Sequence, residues 1–172
     1  MKAFAIVCWM VLMTQSLLLA KDYNVVSFGA VPDGKTLNTK AIQAAIDQAH
    51  AAGEGRVIVP AGRFLSGSVV LKSGVEFHLE KNAVLLGSTH PEDYTQLHNN
   101  TCVGYKALVL AYDAENIAIT GKGVLDGQGA LLARNIDSLF YIGKIDTVAY
   151  EMQERRPKWF LRPQVIQFMN CK

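Results

Sequence analysis

The chain has 172 residues and a formal net charge of +2, with half of its residues apolar and 19% charged. That composition suits one folded domain with a buried core. The near-neutral charge gives no global argument for a nucleic-acid partner, which would want a strongly basic face, and none is expected.

The first twenty residues stand apart from the rest. Lys2 precedes an unbroken apolar run from Ala3 to Met13, and Leu17-Leu18-Leu19-Ala20 follows a polar break at Thr14-Gln15-Ser16. A charged start, an apolar stretch and a small residue before the polar Lys21-Asp22 read as a secretory signal peptide, residues 1–20, cleaved after Ala20. The polar break leaves the run shorter than the ~20 apolar residues of a membrane span, so no membrane association is expected after cleavage. The product is expected to be secreted, periplasmic or extracellular. Its cysteines are then Cys102 and Cys171. Export permits a disulfide between them, but both flank strand-like runs, and free, buried thiols are the favoured reading.

Beyond the leader, Asp22–Ala30 reads as a short strand and Pro32-Asp33-Gly34 as a turn. Ala41, Ile42, Ala45, Ile46 and Ala49 then recur three and four apart, which predicts a helix over Asn38–Ala52. Asn38 or Thr39 can cap its start, and Gly53 can close its end. From Gly55 onward no helix of that quality is expected. Short β-rich runs follow one another: Arg56–Val59, Ser68–Leu71, Val75–Leu79, Ala83–Leu86, Ala107–Ala111, Ile117–Thr120, Val124–Leu125 and Val165–Phe168. Turn residues such as Pro60-Ala61-Gly62 and Glu80-Lys81-Asn82 separate them.

A sandwich, a barrel or a β-solenoid could be built from such a series. Glycines recurring at the corners, and apolar runs with brief polar interruptions, favour the solenoid. The helix then has a role, because a stack of coils needs its first apolar face covered. Tyr94–Tyr105 reads as a loop leaving the coil, with an Asn99-Asn100-Thr101 glycosylation acceptor. Asn135–Leu161 reads as a second irregular stretch.

One formal motif points elsewhere. Gly29-Ala-Val-Pro-Asp-Gly34-Lys35-Thr36 fits the phosphate-cradling loop of nucleotide-binding proteins. Such a loop needs a helix that starts at the Gly-Lys-Thr itself, so that free N–H groups meet the phosphates. Here the better caps come later, at Asn38 and Thr39, and a sheet covered by helices on both faces is not indicated. No nucleotide partner is expected.

The same residues carry a resemblance. Val25-Val26-Ser27-Phe28-Gly29-Ala30, Asp33-Gly34 and Asn38-Thr39-Lys40-Ala41-Ile42 resemble the opening of parallel β-helix pectinases. Val57-Ile58-Val59-Pro60-Ala61-Gly62, Gly67-Ser68-Val69, Ile119–Gly129 and Arg162–Cys171 resemble successive coils of the same enzymes. Residues 23–172 as a whole are similar to glycoside hydrolase family 28, the polygalacturonase-like enzymes. The opening segment is shared with other β-helix proteins such as phage tailspikes; the Asp126 and Arg162 segments narrow the choice.

The resemblance implies an all-β, right-handed parallel β-helix with an N-terminal capping helix over residues 21–172, cut short at its C-terminus. It implies a secreted glycosidase that cleaves polygalacturonan or rhamnogalacturonan by inverting acid/base hydrolysis. That chemistry needs a protonated carboxyl and a carboxylate that activates water, ~6.5–9.5 Å apart. The Asn-Thr-Asp, Asp-Asp, Gly-His-Gly and Arg-Ile-Lys motifs that supply it in the family are not in this sequence. They are expected beyond Lys172, so the 172-residue chain itself is expected to be inactive. A calcium-dependent lyase on the same fold and a non-enzymatic carbohydrate-binding module are the alternatives.

Asp126, in an Asp-Gly-Gln-Gly turn, and Asp33 are read as turn residues bonding their own backbone. His50 lies on the helix, His78 in a strand, and His90 and His98 in the loop; no pair of them has metal-ligand spacing, and no metal or other cofactor is expected. Arg155, Arg156, Trp159 and Arg162 are the candidate substrate contacts. Guanidinium groups grip carboxylates in a fork, and an indole stacks on a sugar ring. The same stretch reads equally well as a solvated basic loop. The expected partner is a pectic polyuronide, bound by a monomer.

Overall fold

The structure is a computed structural model, and it describes residues 21–98, 103–145, 150–151, 156–157 and 161–172. The expected leader, the Asn99 acceptor, Cys102, Arg155 and Trp159 lie outside the described residues.

The chain winds through three sheets in turn. Strands β1 (Lys21–Asn24), β3 (Gly55–Val59), β6 (Val75–Leu79) and β10 (Ala118–Gly121) form sheet I. Strands β2 (Asp33–Leu37), β4 (Gly62–Ser66), β7 (Ala83–Gly87) and β11 (Val124–Asp126) form sheet II. Strands β5 (Val69–Leu71), β9 (Val103–Tyr112) and β14 (Gln164–Met169) form sheet III, where β8 (Gln96–His98) adds to β9 antiparallel. Every strand pair between successive coils is parallel. The strand series predicted from the sequence therefore resolves as a parallel β-helix.

Register explains why alternating apolar residues suffice. Successive side chains of a strand point to opposite faces. In sheet I, Tyr23, Val57, Phe77 and Ile119 stand in one inward column. In sheet II the column is Phe64, Leu85 and Leu125; in sheet III it is Val69, Val109 and Ile166. Phe64 and Phe77 are fully buried where the columns meet. Truncating either to Ala removes ~3–5 kcal/mol of packing.

The predicted helix forms as α1 (Thr39–Ala51), with Ile42, Ala45, Ile46 and Ala49 buried. It connects β2 to β3, so it stands in the first coil where later coils place a strand of sheet III. Gly53, at φ +96°, closes it by donating to the His50 carbonyl at 2.9 Å. Its start differs in mechanism from the expectation. Asn38 sits at the N-cap but makes no capping bond. Its buried amide instead accepts from Val31 N (2.7 Å) and donates to Thr36 O (2.7 Å), stitching the incoming loop.

Three further expectations are corrected. The first strand ends at Asn24, because the Asn24 side chain accepts from Val26 N and turns Val25–Phe28 into a 3-10 segment. The Asp33-Gly34 turn is part of strand β2, whose irregular pairing with β4 absorbs the bend. The stretch after Gly127 contains a second helix, α2 (Gly129–Tyr141). Its Leu132 and Ile136 are buried in the common core, and Phe140 packs against it. The scattered apolar residues and the turn-formers Asn135, Asp137 and Ser138 hid that face from a reading of periodicity.

Candidate functional site

The connections between sheets are unequal. Passing from sheet I to sheet II takes a few residues in each coil after the first. Passing from sheet II to sheet III takes residues 67–68 in one coil, 88–102 in the next and 127–163 in the one after. The two long connections therefore both fall between sheets II and III, at one corner of the solenoid.

That corner is built from short buried polar side chains. Ser66, Ser68 and Ser88 are buried there, as is Tyr94. The Ser68 hydroxyl donates to Ala107 O at 2.6 Å and accepts from Thr95 N at 2.9 Å, tying the loop back to β9. The Ser88 hydroxyl donates to the Asp93 carboxylate, and the Tyr94 phenol donates to Ser88 O at 2.7 Å. Burial pushes the Tyr94 phenol well above its ordinary range. Lys106 donates to Pro91 O at 2.9 Å, and burial holds its ammonium below the usual lysine value.

The third loop is fastened onto the second. Asp126 accepts from Gln128 N at 2.9 Å, the local turn bond expected of it. Gln128 then donates to Gly87 O at 2.6 Å, and Asn135 of α2 donates to Thr89 O at 2.8 Å. A short antiparallel pair, β12 (Tyr150–Glu151) with β13 (Arg156–Pro157), follows α2 and lies against it.

Of the four residues singled out as substrate contacts, Arg156 lies in β13 and Arg162 is exposed immediately before β14. Both thus belong to the segment that leaves and rejoins the coil at this corner. Cys171 is free and half-buried. Among the described residues, no three His, Cys, Asp or Glu groups are placed to hold a metal ion. No helix among them is long and apolar enough to cross a membrane.

Stacked parallel coils, a helix over the first of them and loops that lengthen at a single corner define the pectate-lyase-like class of β-helix proteins. The chain belongs to the family described as Rhamnogalacturonase A/epimerase, pectate lyase-like, whose model matches residues 23–135. Exo-poly-α-D-galacturonosidase of Dickeya chrysanthemi is 38% identical over 128 residues, which cover 67% of this chain and 21% of that protein. Mannuronan C5-epimerase AlgE1 of Azotobacter vinelandii is 34% identical over 122 residues, 69% of this chain and 9% of that protein. The family 28 exopolygalacturonase of Yersinia enterocolitica superposes with a TM-score of 0.67 at 28% identity, covering 88% of this chain and 33% of that one. The resemblance to glycoside hydrolase family 28 thus rests on both sequence and fold. The chain spans a third or less of the length of each of these proteins.

Proposed function

We propose that the chain is part of a secreted glycoside hydrolase that cleaves a pectic polyuronide by inverting acid/base hydrolysis, with its catalytic carboxylates contributed by residues after Lys172. The observation that carries this reading is the gathering of the 88–102 and 127–163 excursions at one corner. Both leave the coil between sheets II and III, and a polymer laid along sheet III would cross successive coils there. The likeness to an exo-poly-α-D-galacturonosidase supports a galacturonate polymer as the substrate.

In this reading the present residues bind and position rather than react. Arg155, Arg156 and Arg162 meet uronate carboxylates, and Trp159 offers a face to a sugar ring. Two carboxyls at inverting separation would come from later coils of sheet III. No nucleotide or metal takes part, and the protein acts as a monomer.

A second reading has one observation in its favour. The family description includes an epimerase, and one relative is a mannuronan C5-epimerase. Product analysis separates the two. Incubating the full-length protein with polygalacturonate should release saturated oligomers with new reducing ends. Products with a ring double bond would indicate elimination, and a polymer of unchanged length with altered sugar configuration would indicate epimerisation. Either result would overturn the hydrolase reading.

A further inference from the structure

The outer face of sheet I is a different face from the corner that carries the long loops, and it holds an ordered polar group that bridges two coils. Thr120 and His78 stand side by side in register on β10 and β6, with Glu76 two residues before His78 on the same face. The Thr120 hydroxyl donates to Glu76 Oε1 at 2.5 Å. A hydroxyl has one proton to give, so the 2.7 Å contact between Thr120 Oγ1 and His78 Nδ1 requires the imidazole to donate. The Nδ1–H is thereby committed to Thr120, and the Nε2 edge is the side of the ring outside the relay.

His78 also lines an open depression of about 590 Å³, together with Glu80, Lys81, Gly121 and Lys122. Glu80, Lys81 and Lys122 stand at the corner between sheets I and II, where Lys122 N and Gly123 N both donate to Leu79 O and draw the two coils together. Lys81 and Lys122 have no ion-pair partner among the described residues, whereas Lys72 is paired with Asp47 and Lys172 with Glu115. Glu80 is exposed beside them.

We infer that this depression is a second, non-catalytic binding site for a uronate-bearing sugar chain. Lys81 and Lys122 take a carboxylate, and the Nε2 of His78 and the Glu80 carboxylate accept from ring hydroxyls. A neutral glycan would lose the lysine contacts, and a simple anion would leave His78 and Glu80 unused. The combination of two ammonium groups with two hydroxyl acceptors fits a sugar that carries its own carboxylate. Such a site would hold the enzyme on its polymer while the sheet III face works. The inference rests on the polyuronide reading above.

The test uses the full-length protein and its partition onto insoluble polygalacturonate in the cold, with turnover of soluble short oligogalacturonate measured in parallel. Each exposed charge contact is worth a factor of a few, so Lys81→Ala with Lys122→Ala should weaken retention about tenfold while leaving kcat unchanged. Thr120→Val, which keeps shape but frees the imidazole, should weaken it about twofold to threefold by the same reasoning. Lys35→Ala, an exposed lysine on another sheet, should have no effect. Unchanged retention in the double variant, or an equal loss with Lys35→Ala, would overturn the site and leave the hydrolase reading standing. Retention that depends on Lys81 and Lys122 without any hydrolysis would support the site and sink the hydrolase instead.

Discussion

Gln43 makes to Val70 the two hydrogen bonds that a neighbouring strand would make. Its side-chain Oε1 accepts from Val70 N at 2.8 Å, and its Nε2 donates to Val70 O at 3.0 Å. β5 is the first strand of sheet III, so its outward edge faces α1 rather than another strand. A strand edge left open is a template for unwanted pairing. One primary amide on a helix supplies both a donor and an acceptor in the spacing of a peptide unit, and so closes the edge at its middle residue. Asp47, one turn on, accepts from the same Nε2 at 2.9 Å and pairs with Lys72 at 2.8 Å, which holds the amide in place.

Replacing Gln43 with Leu should therefore destabilise the protein although the position lies outside the apolar face of α1. Two half-buried backbone groups would lose their partners, at ~1–3 kcal/mol. Gln43→Glu should fall between, because a carboxylate accepts from Val70 N but cannot donate to Val70 O. Urea denaturation of the three proteins gives the order. A Leu variant as stable as the parent would show that the amide clasp contributes nothing.

Two glycines fix how closely adjacent coils approach. Gly67, in the tight passage from sheet II to sheet III, sits against the Asp93 carbonyl, and Gly121 sits against the Leu79 carbonyl at φ +101°. An added Cβ at either would fall within the volume of that oxygen. Gly121→Ala adds the left-handed penalty to the clash, and should cost about 3 kcal/mol or more. Thermal unfolding should show Gly121→Ala at least as damaging as Gly67→Ala. Gly29→Ala is the contrast: nothing lies within 4 Å of its missing Cβ, so only the backbone penalty at φ +94° applies.

These positions show what the sequence discloses. The strands were legible, because Val57, Phe77 and Ile119 each sit in a short apolar run with brief polar interruptions, bounded by turn residues. The helix of the first coil was legible because its small apolar residues keep helical spacing. The corner was not. Ser66, Ser68, Ser88 and Asn38 are short polar residues of the kind that mark loops, and their burial follows from contacts with residues distant in sequence. Helix α2 was missed for a related reason: it opens at Gln128 with φ 48°, between two glycines, and buries only Leu132 and Ile136. The relay on sheet I joins Glu76 and His78 to Thr120 on the next coil, and its register exists only once the coils stack.

The segment that mimics a phosphate loop has its amides already engaged. Asp33 accepts from Lys35 N and Thr36 N, both at 2.8 Å, and from the Thr36 hydroxyl at 2.7 Å. The Thr36 amide above all, then the Lys35 amide and the Thr36 hydroxyl, lower the Asp33 pKa from its ordinary 3.8 to about 2. A depressed carboxylate pKa means that its contribution is present above the unfolded value and lost as pH falls through the folded one. The β2 turn should thus loosen between pH 3.8 and about 2. Side-chain titration followed by NMR should place Asp33 lowest within that window, and Asp33→Asn should remove the transition. ATP would meet a carboxylate where it needs free N–H groups. Calorimetry should accordingly show no saturable binding; binding abolished by Lys35→Ala would reverse that conclusion.

If the reacting carboxylates lie beyond Lys172, the 172-residue chain should be inert on pectic polymers and poorly soluble by itself. Inverting hydrolysis needs an acid and a base at the same bond, and removing such groups costs several orders of magnitude in rate. Solubility follows from the third sheet. Ile166 and Phe168 continue the inward columns of Val109 and Ala111, yet they are 42% and 41% exposed. Elsewhere in the stack the equivalent side chains, Val69 and Leu71, are buried. A solenoid is stabilised by each coil lying on the next, so this face should bind a hydrophobic dye or another copy of itself. A reducing-sugar assay on polygalacturonate and rhamnogalacturonan, run beside dye fluorescence, compares the chain from Lys21 to Lys172 with the full-length protein. The short chain should be dye-positive and inactive, and the long one dye-negative and active. Turnover by the short chain would place the reaction within it, and Asp126→Asn would then be the first variant to examine.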